Sequence, residues 1–303
     1  MTKPKSPQRW AYDLTIILNT LGGDDRFPVN VEALAYDFSK QRFPDDPISL
    51  VQGAPLKGFE GALMKAPPGE MGWGIFYNSD TASPGRINFT LAHEFGHYLL
   101  HRQDHPDGIQ CSTEDMERWD SKYRQIEKEA NEFAANLLMP LDDFRAQIAP
   151  KSQPDLEALG ACADRYGVSL IAATLRWLQY TERRAVLVKS IDGFIHWARS
   201  SDRALRTGAY FKTAGRPPIE IPATAIPATE TELVRRKATR EHESGSWFKE
   251  PCTEHALVSE VHDFALSLIH LGDAPSRFEP AEEAEEDTYD RMVSRTPGSS
   301  WLG

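Results

Sequence analysis

The stretch Asn88-Phe89-Thr90-Leu91-Ala92-His93-Glu94-Phe95-Gly96-His97-Tyr98-Leu99-Leu100-His101 holds two histidines four residues apart, with a glutamate directly after the first. On a helix, positions i and i+4 lie one turn apart on one face, so His93 and His97 can aim ring nitrogens at one Zn²⁺ ion. Glu94 sits a third of a turn round, where its carboxylate can reach a water on that ion and act as general base for peptide hydrolysis. His101 continues the series, but three histidines along one straight helix do not converge on one ion. It reads as support for the site or as packing.

A catalytic zinc takes three protein ligands and keeps one position open, so a further ligand must come from another element. A strongly periodic helix over 122–139, ended by Pro140, is the obvious source. Ala130, Phe133, Ala134, Leu137 and Leu138 mark its buried face. At 100° per residue, Glu127 lies about 50° from the centre of that face, Glu129 about 110°, and Glu132 nearly opposite. Glu127 is therefore the best third ligand, because a carboxylate turned toward the core needs a partner. A buried ion pair with one of the arginines is the alternative. For His93 and His97 the alternative is a pair of satisfied core histidines, which would leave Glu94 and Glu127 as unexplained inward polar groups.

Gly96 weakens its helix by about 1 kcal/mol relative to alanine, which suggests close approach of a neighbouring backbone or of the second helix. Asn131, one turn after Glu127, could hydrogen-bond a ligating histidine. Tyr98, Tyr123, His105 and Arg124 are four candidates for stabilising an oxyanion, and the sequence does not choose among them.

Working outward, helices are expected over Trp10 to Leu21 and Pro28 to Phe38, and a strand over Ile48 to Ala54. Gly58 to Lys65 and Gly72 to Tyr77 read as a hairpin around Pro67-Pro68-Gly69. Turn residues fill 78–85, and the histidine helix is expected to start at Asn88 as N-cap and to end near Arg102. Gln103 to Trp119 reads as a loop. Two helices, Pro154 to Tyr166 and Ser169 to Tyr180, follow around Gly167. Ala185 to Val188 and Gly193 to Ala198 look like paired strands. Loops rich in proline and threonine occupy 214–230, a charged helix is expected near Glu230 to Glu241, and apolar strands or helix over Ala256 to Leu271.

Two longer strings, Arg86 to His101 and Glu127 to Pro140 (EKEANEFAANLLMP), together resemble the ImmA/IrrE metallopeptidases. That family includes proteases that inactivate repressors of phages and mobile elements, and the regulator of a bacterial radiation response. The resemblance implies that His93, His97 and Glu127 are zinc ligands and Glu94 the catalytic glutamate. It continues more weakly over 152–180, where Ala163-Asp164-Arg165-Tyr166-Gly167-Val168-Ser169 has the turn and spacing of a helix-turn-helix-like segment, and fades beyond 180. It implies a helix-turn-helix transcriptional repressor as protein substrate, cleaved between its DNA-binding and dimerisation parts.

The bulk numbers bound these expectations. The 303 residues suffice for two domains. A net charge of −11 argues against direct binding of nucleic acid or an anionic membrane. No run is apolar enough to span a bilayer, and Leu14 to Leu18 is too short for a signal sequence. Three scattered cysteines (Cys111, Cys162, Cys252) suit a reducing cytoplasm. From Asp273 to the end, eight acids against three arginines give −5, and this tail is expected to be disordered. Cys111 is a candidate for redox sensing, with inertness as the default. Cys252, His242, His255, His262 and His270 fit no closed zinc cage.

The expected fold is α+β: a zincin-like metallopeptidase domain over 1–150, helix-turn-helix-like helices over 151–183, a smaller mixed α/β C-terminal sensor or recognition domain over 184–272, and an acidic tail over 273–303. The expected function is a cytoplasmic zinc endopeptidase that derepresses stress-response or mobile-element genes. The alternative is a DNA-binding regulator using the 152–180 helices, with a structural or regulatory metal; Arg176, Arg183 and Arg184 would serve it, whereas Leu170, Leu175, Trp177 and Leu178 suggest packing.

Overall fold

A computed structural model describes residues 5–56, 58–81, 83–110, 121–212, 217–229, 237–259 and 263–275. The chain is mixed α/β, with two sheets. Its described residues divide into two compact units: those up to Asp143 with Ala163–Ala172, and Phe144–Cys162 with those from Ala173 to 275.

In the first unit, α1 (Pro7–Gly22) starts with Ser6 accepting the Arg9 N–H and proline in its first turn, both strong helix-start signals. Helix α2 (Val31–Arg42) is capped in the same way by Asn30. The sheet comprises β1 (Ile48–Ala54), β2 (Gly61–Lys65), β3 (Trp73–Asn78) and β4 (Gly108–Gln110) in the order β1-β3-β2-β4. Strands β2 and β3 form the expected antiparallel hairpin, and β1 lies parallel to β3. The Ile48 N–H donates to Ser39 Oγ at 2.9 Å and the Val51 N–H to Tyr36 Oη at 2.7 Å, both acceptors on α2.

Helix α3 (Pro84–Leu100) packs on β2 and β3 and against α4 (Ser121–Leu138). It starts at Pro84 with Ser83 as cap, five residues before the expected cap Asn88, because Ser-Pro supplies both a capping hydroxyl and the fixed φ of a first turn. Strand β4 lies where a loop was expected, pairing with β2. The centre of the unit is aromatic: Phe95 meets Phe38 and Phe133 edge-on, and Tyr98 meets Phe43 and Trp73 in the same way. Full burial of such rings stabilises by about 1.5–3 kcal/mol each and anchors α3 on both sides.

Helices α5 (Leu141–Gln147), α6 (Leu156–Tyr166) and α7 (Leu170–Leu178) follow, the last two joined by a turn at Gly167. Residues 171–178 of α7 are all buried.

The second unit carries a five-stranded antiparallel sheet of β5 (Arg184–Ile191), β6 (Phe194–Ser200), β7 (Lys237–His242), β8 (Cys252–Ser259) and β9 (Phe264–Leu271), ordered β6-β5-β9-β8-β7. Two short helices, α8 (Asp202–Arg206) and α9 (Ile226–Thr229), accompany it. Its core gathers Val186, Val188, Ile195, Ile269, Leu271 and Trp247. The buried Arg184 guanidinium grips both Glu250 oxygens at 2.6–2.7 Å and donates from Nε to Thr207 Oγ1. The charged helix expected over 230–241 is corrected in its described part: residues 237–242 pair with β8 as an edge strand. Charged side chains at a sheet edge discourage pairing with other chains, which accounts for the polar composition. Among the described residues, no helix is long and apolar enough to cross a membrane. Cys111, His262 and the chain after residue 275 lie outside the described residues.

Candidate metal centre

Two ligand candidates come from one helix and the third from its neighbour. His93 and His97 stand one turn apart on α3, and Glu127 reaches them from α4. Gly96 lets the two helices meet: a Cβ there would lie 2.9 Å from Phe133 Cδ1 and 3.4 Å from Ala130 Cα. The glycine therefore answers to close helix packing, as its place in a helix interior suggested.

The three side chains converge. His93 Nε2 and His97 Nε2 are 2.9 Å apart, and each lies 3.2 Å from one oxygen of the Glu127 carboxylate. A tetrahedron of ligands at about 2.0–2.1 Å from an ion has edges of roughly 3.3 Å, so the triangle fits a small divalent cation with slight expansion. All three residues are buried, His97 completely. Among the described residues this is the group whose ligand atoms lie within 4.8 Å of one another and could hold a metal ion.

The electrostatics agree with a cation site. Burial pulls the His93 imidazole toward the neutral form, but the adjacent Glu127 carboxylate outweighs it and raises the pKa to about 9. Burial pushes Glu127 up, and the attraction of His97 and then His93 holds it well below the usual carboxylate range. His97, fully enclosed, falls to about 4 because burial dominates. The site thus gathers one carboxylate charge and a positive charge to balance it, the place a metal ion takes when ligands are deprotonated.

Glu94 lies beside this group, 3% exposed, and burial raises its pKa to about 8. Its Oε2 has no hydrogen-bond partner among the described residues. Over it lies Gly61, the first residue of β2, where a Cβ would come within 2.7 Å of Glu94 Oε1 and 2.6 Å of Thr90 Cγ2.

Asn131 Oδ1 sits 3.0 Å from His93 Nδ1, and His101 Nδ1 sits 3.1 Å from His97 Nδ1. His101 therefore contacts a ligand candidate from outside the triangle. Tyr98 is elsewhere: its hydroxyl donates to the Asp46 carbonyl at 2.7 Å, and its pKa rises to about 12 chiefly through burial. The side chains of Tyr123 and Arg124 lie outside the described residues. Sequence reasoning missed Gly61, whose approach to Glu94 arises only when β2 packs on α3, and it gave Glu129 no partner. The signal for Glu129 was its position at the margin of the buried face.

In the second unit, the residues weighed as a second metal group have separate partners. His242 Nε2 donates to Glu254 at 2.7 Å, His255 Nδ1 meets Thr239 Oγ1, and His270 Nε2 donates to the Pro154 carbonyl at 3.0 Å. Cys252 is buried.

A buried His/His/Glu triangle beside a glutamate, held between two packed helices, is a group that could hold a metal ion. The family model described as the IrrE N-terminal-like domain (Peptidase_M78) matches residues 48–178, which span α3, α4 and the hairpin that overlies Glu94. That match supports membership of the ImmA/IrrE peptidase family for this part of the chain. Among curated proteins, none matches the chain.

Proposed function

We propose that this protein is a cytoplasmic zinc-dependent endopeptidase that cleaves a helix-turn-helix transcriptional repressor and so derepresses stress-response or mobile-element genes. The observation that carries this reading is the convergence of His93, His97 and Glu127 with the buried Glu94 beside them. Two imidazoles and one carboxylate suit zinc, and three protein ligands leave a position open for water or substrate. The arrangement supports a zincin-like assignment for the peptidase domain.

When bound, the ion supplies Lewis acidity, making a water nucleophilic near neutral pH and polarising the scissile carbonyl. The protein does the rest with its own groups. Glu94 accepts the proton of the attacking water and returns it to the leaving amine. Its enclosure beneath Gly61 keeps bulk solvent from competing for that proton. Asn131 and His101 hold the two imidazoles. An extended substrate segment is read along the β4 edge of the sheet, since β2 is paired on both sides and amide donors of β1 are already engaged by α2.

The helices over 151–183 serve as bracing or repressor recognition in this reading, and the second unit as sensor or recognition domain. A DNA-reading role for α7 is not supported by its packing. Arg176 is 3% exposed and donates to Gln179, and Arg184 is buried on Glu250. A recognition helix must present side chains to a groove.

The test is incubation with the repressor encoded beside this gene, with and without chelator, read by intact mass of the fragments. Glu94→Gln should keep zinc and lose cleavage, whereas His93→Ala and Glu127→Ala should lose both. An uncut repressor, or cleavage untouched by chelator, overturns the proposal.

A further inference from the structure

His101 and Glu129 form a second pair behind the metal centre. His101 is 5% exposed, with Nδ1 3.1 Å from His97 Nδ1 and Nε2 3.0 Å from Glu129 Oε2. Glu129 is in turn fixed at its other oxygen, which accepts from Gln125 Nε2 at 2.7 Å. Proton positions along this line follow from the carboxylate at its end. An ionised carboxylate only accepts, so His101 carries its hydrogen on Nε2 and leaves a lone pair on Nδ1. That lone pair requires a donor, and the atom facing it is His97 Nδ1. His97 then holds its hydrogen on Nδ1 and turns the lone pair of Nε2 toward His93 and Glu127.

We propose that Glu129 and His101 are positioning residues that lock the ring and tautomer of His97, so that Nε2 is presented ready to ligate Zn²⁺. The proposal rests on the reading of His97 as a ligand. It accounts for an otherwise costly feature, a third buried histidine, at the C-cap of α3, reaching to a carboxylate on α4. The two ligand histidines are then oriented differently: His93 through the neutral amide of Asn131, His97 through a histidine backed by a carboxylate. A carboxylate behind the bridging ring raises the basicity of the ligand as well as fixing its direction.

The test is competition of the full-length protein with a chromophoric chelator for Zn²⁺ alone, with thermal melting run alongside. His101→Phe keeps the volume and removes both hydrogen bonds. Its Zn²⁺ dissociation constant should rise about 10- to 100-fold, the usual loss when such a partner of a ligand is removed. His101→Gln can accept from His97 and donate to Glu129 through one amide, and should recover most of that loss. Glu129→Ala should weaken binding several-fold. In the zinc-loaded wild type, ring ¹⁵N shifts should show His97 protonated at Nδ1. Wild-type affinity in His101→Phe, or His101→Gln binding no better than His101→Phe, assigns His101 to packing and overturns the relay. Should His101→Phe fail to fold, Glu129→Ala and the ring shifts decide: unchanged affinity, or His97 protonated at Nε2, overturns it. Absence of Zn²⁺ binding by the wild type would overturn the centre itself, whereas the former results leave the centre standing.

Discussion

Gly61 on β2 closes over Glu94 on α3 so tightly that a methyl group at 61 would meet the carboxylate oxygen at 2.7 Å. Strand and helix thus leave Glu94 one narrow slot. Gly61→Ala should push the carboxylate aside, because the obstruction also includes Thr90 Cγ2 at 2.6 Å. Misplacement of a catalytic group by about 1 Å costs on the order of 100-fold in rate. Under the proposed function, we expect kcat to fall by about that factor with Zn²⁺ affinity within about threefold of wild type, measured by cleavage of the proposed repressor substrate and by chelator competition.

Gly96→Ala tests the spacing of α3 and α4. Alanine is the better helix former by about 1 kcal/mol, but its Cβ would press on Phe133 at 2.9 Å, and overpacking costs about 1–3 kcal/mol. Net destabilisation of up to about 2 kcal/mol is expected in urea unfolding, together with weaker Zn²⁺ binding as the ligand helices separate. A stabilised variant would show that the helices can part freely.

Tyr98→Phe separates structure from chemistry. Its hydroxyl is committed to Asp46, and the Arg102 guanidinium lies 4.4 Å from its ring centroid. Loss of the hydrogen bond should cost about 1 kcal/mol of stability with cleavage unchanged. A fall of 100-fold or more in kcat would return Tyr98 to the oxyanion role.

His270 should impose an acid limit on the second unit. Burial lowers its pKa to about 4, against 6.5 for an ordinary histidine, and the hydrogen bond to the Pro154 carbonyl only partly opposes this. Its buried Nδ1 has no partner among the described residues, so protonation would bury a donor with no acceptor. The neutral form is the folded form: stability is complete above pH 6.5 and declines as pH falls toward 4. The loss approaches about 3 kcal/mol at the lower end. Urea midpoints from pH 7 to 4 should fall more steeply for wild type than for His270→Gln.

Much of the first unit was legible because its signals are local. The strand expected over Ile48 to Ala54 has the bounds of β1, although its burial does not alternate, and the periodicity of α4 turned Glu127 inward, where it meets His93 and His97. The start of α3 was hidden because Ser83-Pro84 reads equally as a turn or as a helix cap. Strand β7 was masked by charge: Lys237, Arg240 and Glu241 suit a solvated helix, and only pairing with β8 decides otherwise. Helices α5, α8 and α9 are too short to show a period. The approach of Gly61 to Glu94 and the pairing of His101 with Glu129 bring together residues 33 and 28 positions apart, and no window along the chain contains that information.

Ser39 and Tyr36 have a consequence for the company this molecule keeps. By accepting the amides of Ile48 and Val51 they seal one margin of the first sheet from within. Unsealed margins are where identical chains recruit one another into fibres. At the opposite margin the described part of β4 is three residues long, a poor template for such growth. If the proposed function holds, a peptidase that must receive foreign backbone without adhering to its own kind is well served by so lopsided a sheet.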